Sequence, residues 1–216
     1  MLTQEPTING YHLEICANSS ESAVIAQASG ASRVELCQNL ASGGTTPSYG
    51  MIKRTRAQLS IGLHVLIRPR AGDFLYSDAE FEEMKADIEV CKALHCDGVV
   101  IGLLNADGSV DCARNAELVK LAAPMTCVFH RAFDRCADPF QSLADIIDLG
   151  FSRILTSGQR NTAVEGLPLI TDLITKAAGR IEIMPGAGVD ASNISAILRA
   201  SKARSIHSSA KSSYPS

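Results

Sequence analysis

No apolar run in this sequence approaches membrane-spanning length, and its opening stretch, MLTQEPTINGYH, lacks the apolar core of a signal peptide. Both absences point to a cytoplasmic protein. A strong charge of either sign is missing too: the net charge is −3 and the pI near 5.9, which leaves no electrostatic footprint for nucleic acid or an anionic membrane. None of the seven cysteines forms a C-x-x-C pair, which speaks against a zinc ribbon or a thioredoxin-like motif. In a reducing cytosol these thiols are packing residues, metal ligands or nucleophiles. Linkers and low-complexity breaks are also absent, so residues 1–216 are expected to form one domain.

What is present is a core. Hydrophobic residues make up 46% of the chain and charged ones only 20%, a balance that favours a folded domain over disorder. Short apolar runs at 12–16, 33–37, 62–68, 97–102, 126–131, 152–156, 180–185 and 203–207 read as strands. Helix chemistry lies between them. Phe81, Met84, Ile88, Cys91 and Leu94 form a stripe over 78–94, with Ser77 placed to cap it. Asp138 followed by Pro139 opens another helix, and 162–177 carries Val164, Leu167, Ile170, Leu173 and Ile174. Gly30, Gly150 and Gly179 fall where helices should stop, and Asp190 or Ser192 would cap the seventh helix.

Strand followed by helix along the whole chain predicts an α/β fold, a (β/α)8 TIM-type barrel. An open doubly wound sheet is the alternative. The first strand-to-helix turn, CANSSES, has no dinucleotide glycine fingerprint and argues against it. The short stretch after His207 leaves no room for an ordinary eighth helix, so aliphatic surface is expected to show on the outer faces of strands eight and one. A second subunit is expected to cover it, giving a homo-oligomer.

In such barrels chemistry sits at the C-terminal strand ends. LEIC and VELC place Glu14 with Cys16, and Glu35 with Cys37, each pair on one face of neighbouring strands. One cysteine alone on a strand is an ordinary small hydrophobe; two at matching positions, with strands about 4.8 Å apart, could share a metal. Inward carboxylates need partners. Arg68, at the end of HVLIRPRAGDF, is expected near Glu14 or Glu35, either in a structural charge layer or as an anion anchor. His130, in VFHRAFD, is a candidate proton-transfer partner to Glu14 or Glu35 as general acid or base, and Asp134 of the same stretch is a further catalytic candidate. Arg70, with Gly186 and Gly188 of PGAG and Ser208 and Ser209 of HSSA, forms a candidate anion cradle. Those glycines could equally be turn residues.

Taken together, LEIC, RVELC, SGGTTPSYG, IRPRAGDFLYSD, FHRAFD, RILTSG, MPGAG and HSSA resemble, in order, the CutC family of copper homeostasis proteins. That resemblance implies a cytosolic, self-associating barrel that handles copper, with Cys16 and Cys37 as Cu(I) ligands. The residues leave a second class open: a barrel enzyme acting on a small phosphate- or carboxylate-bearing substrate.

Overall fold

The computed structural model describes residues 6–210. Eight strands alternate with helices: β1 (His12–Ala17), α1 (Ser20–Ala28), β2 (Arg33–Leu36), α2 (Tyr49–Gln58), β3 (Gly62–Leu66), α3 (Asp78–Ala93), β4 (Gly98–Ile101), α4 (Cys112–Ala122), β5 (Thr126–Phe129), α5 (Pro139–Asp148), β6 (Arg153–Thr156), α6 (Leu167–Ala177), β7 (Glu182–Pro185), α7 (Ile194–Ser201) and β8 (Ser205–Ser208). All ladders are parallel and run in the order β7-β6-β5-β4-β3-β2-β1-β8. β7 and β8, at the two ends of that order, pack against each other, so the sheet is a nearly closed TIM barrel. Gly186 makes this approach possible: a Cβ there would stand 2.6 Å from Leu155 Cδ1 and 3.3 Å from His207 Cβ. The place where an eighth helix would start, after Ala210, lies outside the described residues.

Local chemistry explains most element ends. Ser77 and Glu80 form a reciprocal capping box at α3, and Asp138 caps α5 with Pro139 in its first turn. Two expectations need correcting. Helix 162–177 starts only at Leu167, because the chain at Gly166 crosses so close to Ser157 that even a Cβ has no room. Neither Asp190 nor Ser192 caps α7: Asp190 accepts from the Ser192 N–H and hydroxyl in a turn, and Asn193 leads into the helix.

Alternation sorts the side chains. Val34, Leu36, Val65, Val99 and Ile101 point outward and are fully buried under helices. The inward set includes Glu14, Cys16, Arg33, Glu35, Cys37, His64, Leu66, Val100 and Val128. The barrel interior is therefore a charged floor beneath a small apolar layer, and the mouth lies above both.

Candidate functional site

The floor is an ion network. Arg33 Nε donates to Glu14 Oε2 at 2.6 Å, and His207 Nδ1 lies 2.7 Å from Glu14 Oε1. An isolated buried carboxylate would be costly. Here burial is outweighed by Arg33 and by His207 and His64, and Glu14 is held well below the usual carboxylate range. Glu14 is thus a fixed anion, and its proposed acid–base role does not suit its surroundings. His64, 3.8 Å from Glu14, is pushed down to about 3, chiefly by burial, and stays neutral. Arg153 pairs with Glu182 at 2.7 Å on the same floor. Arg33 and His207 were not singled out in the sequence. Register could have found both, since Glu14 lies opposite Arg33 on one side and His207 on the other.

Above the floor the two thiols meet. Cys16 Sγ and Cys37 Sγ are 3.4 Å apart, and Glu35 Oε1 is 3.8 Å from Cys16 Sγ. The Cys37 contact, burial and the Glu35 charge together push the Cys16 thiol well up. Burial raises Glu35 to about 7, against the pull of His207, so this carboxyl exchanges a proton near neutrality. Burial opposes charge on His207 too, yet Glu14 and Glu35 prevail and raise it. Donor atoms of Cys16, Glu35 and His207 all lie within 4.8 Å of one another, a spacing that could hold a metal ion. With Nδ1 engaged by Glu14, Nε2 is the ring atom His207 has left for a ligand. A carboxylate behind a ligating imidazole is the usual way its orientation is held.

The mouth differs from expectation in several places. Arg68 does not pair with Glu14 or Glu35: its guanidinium donates to the carbonyls of Ser42, Gly44 and Gly72 and stacks on Phe74. The β2–α2 and β3–α3 loops curl round it, a long-range arrangement that strand parity cannot foresee. Arg70 does not reach the cavity, because Glu80, Asp73 and the Leu75 carbonyl take its donors. Asp134 accepts from Arg131, Thr156, Ser157 and Gln159, which makes it a tie between the β5 and β6 loops with no capacity to spare for proton transfer. The Gly186 N–H is taken by the Thr156 carbonyl, so it is not part of an anion cradle. His130 accepts at Nδ1 from the Ala132 N–H, and burial together with Arg68 pushes it down to about 3. It is a neutral donor rather than a proton shuttle.

A cavity of about 650 Å³ opens over this site. Cys16, Glu35, Arg68, His130, Asp134, Gly188, His207, Ser208 and Ser209 all line it; Cys37, in contact with Cys16, is fully buried and does not line the cavity. Eight of the twelve candidate residues named from the sequence thus line one cavity, while Glu14, Cys37, Arg70 and Gly186 do not.

The CutC family model matches residues 11–212. The chain belongs to the CutC family. It is 54% identical over 199 residues to a family protein CutC of Chromobacterium violaceum, covering 92% of this chain and 81% of that protein. It is 48% identical to the copper homeostasis protein cutC homolog of Homo sapiens, covering 94% of this chain and 75% of the human one. A CutC crystal structure from Streptococcus agalactiae superposes with a TM-score of 0.89 at 37% identity, covering 93% of this chain and 99% of that one. An aldolase, QR15, shares the barrel at a TM-score of 0.70 but only 14% identity, a likeness of fold alone. No helix among the described residues of this CutC chain is long and apolar enough to cross a membrane.

Proposed function

We propose that this CutC protein serves cytoplasmic copper homeostasis by binding Cu(I) as cargo through Cys16 and Cys37. The carrying observation is the 3.4 Å separation of two reduced sulfurs inside the barrel. Cu(I) is soft and favours thiolates, whereas the Glu35 carboxylate suits harder ions. Sulfurs at roughly 2.3 Å from one ion, the usual metal–thiolate length, can lie this far apart. His207 Nε2 is the soft-compatible third donor beside Cys16. Because Cys37 is screened by Cys16, the ion would enter past Cys16 from the cavity.

An anaerobic competition titration against a Cu(I) chelator tests this. One Cu(I) per chain is expected, with Cys16→Ser and Cys37→Ser each abolishing tight binding and Cys91→Ser or Cys127→Ser leaving it intact. Affinity should weaken on acidification, since protons compete for the thiolates. Binding that survives Cys16→Ser but is lost with Cys91→Ser would reject the assignment.

A further inference from the structure

We infer that the barrel mouth binds a small organic anion, a carboxylate or a phosphate monoester, on the guanidinium of Arg68 and the Nε2–H of His130. Both residues line the cavity and are almost wholly buried, 6% and 5% exposed. Of the five N–H groups on a guanidinium, Arg68 gives three to backbone carbonyls. Those carbonyls orient the plane but bring no formal charge, and no carboxylate pairs with Arg68 among the described residues. A buried cation without a counter-ion is costly, and Arg68 lines the open cavity.

His130 adds the second donor. An Nδ1 that accepts leaves the proton on Nε2, and that nitrogen is buried with no partner among the described residues. Arg68 and His130 flank one ring: Phe74 lies 5.1 Å from Arg68 Cζ and its centroid 4.9 Å from the imidazole's. Both residues line the same cavity, and the Arg68 charge acts on His130; an anionic group bound there would offer acceptors to the unpaired charge and to the unpaired donor.

The wider field agrees. Four arginines line the cavity (Arg68, Arg131, Arg135 and Arg160) against two carboxylates, in a chain whose net charge is −3. One of the two, Asp134, is already bound to Arg131. Across the mouth, the backbone N–H groups of Gly188 and Ser209 have no acceptor among the described residues, so a phosphate has donors on both walls. None of these groups is a thiol, and the inference stands apart from copper binding.

Calorimetric titration of the thiol-reduced, metal-free protein with inorganic phosphate and, separately, with succinate tests it. Saturable binding of one anion per chain is expected at low salt, and the tighter probe identifies the phosphate or the carboxylate class. Arg68→Gln should weaken binding about tenfold or more, the effect of losing a charge-assisted bond. Arg70→Gln, outside the cavity, should bind as the wild type does. Because Arg68 also ties two loops, the exposed pair Arg135→Gln/Arg160→Gln provides a variant that spares the fold; it should flatten the salt dependence of binding. The inference is overturned by three results: no saturable heat with either probe, unchanged affinity in an Arg68→Gln protein that melts normally, or an unchanged salt dependence in the double variant.

Discussion

At the scale of single residues, this barrel is governed by how its buried ionisable groups settle their protons. His64 and His130 are neutral down to about 3 in the fold, while an unfolded chain charges them below 6.5. Unfolding therefore takes up two protons between those values, and stability falls as pH drops. Glu35 acts in the other direction: raised to about 7, it holds a proton in the fold that the unfolded chain binds only near 4.5. The net uptake between pH 6.5 and 4.5 is thus about one proton, or about 1.4 kcal/mol per pH unit. Below that, Glu14 adds to the loss, since its depressed pKa stabilises only while it is ionised. His207 shapes the alkaline side, because its raised pKa contributes stability that is lost as pH rises through it. Urea unfolding across pH 7.5–4.5 should show this acid slope, and Glu35→Gln should roughly double it. A stability flat from pH 6.5 to 4.5 would contradict these charge states.

Among the elements, β4 shows how a strand can serve a site by what it omits. It offers the interior Gly98, Val100 and then Gly102, and the gaps are filled by histidines from its neighbours. A Cβ on Gly98 would meet the His64 ring at 2.6 Å, and one on Gly102 would meet His130 Cε1 and Nδ1 at 2.8 Å. These small residues leave the space that the two imidazoles fill. Gly102→Ala should therefore behave as overpacking, lowering urea stability by about 1–3 kcal/mol and displacing His130 at the mouth. An unchanged midpoint would show that the ring has room. The glycines are visible in the sequence, but their reason is not, because His64 and His130 come from β3 and the end of β5.

Over the whole molecule, the notable feature is uneven cover. The outward residues of β2, β3 and β4 are fully buried, whereas Leu13 and Ile15 on the outer face of β1 are only half-buried. Ile206 of β8 is 1% exposed, so the expected bare face is confined to β1. We propose that a second copy covers it. Light scattering at micromolar concentration should give a mass above one chain, and Leu13→Glu should reduce it to one. A monomeric wild type would contradict the proposal. The barrel itself was legible, because caps, stop glycines and two-residue alternation are local signals. The partners of Arg68 and Arg70 were not, since loop paths decide them.

The sequence by itself determined which side chains face inward. Parity placed Glu14 with Cys16, Glu35 with Cys37, and His64 with Arg68 on interior faces, and the repeated Glu-x-Cys marked where two neighbouring strands would bring thiols together. Only the tertiary structure decided what each inward group does. Closure brings His207 to Glu14 across 193 residues of sequence, register sets Arg33 beside it, and loops wrap Arg68 in carbonyls. Alternation is a property of each strand alone, whereas charge pairing depends on distances across the barrel. Those distances exist only once the first and last strands have met.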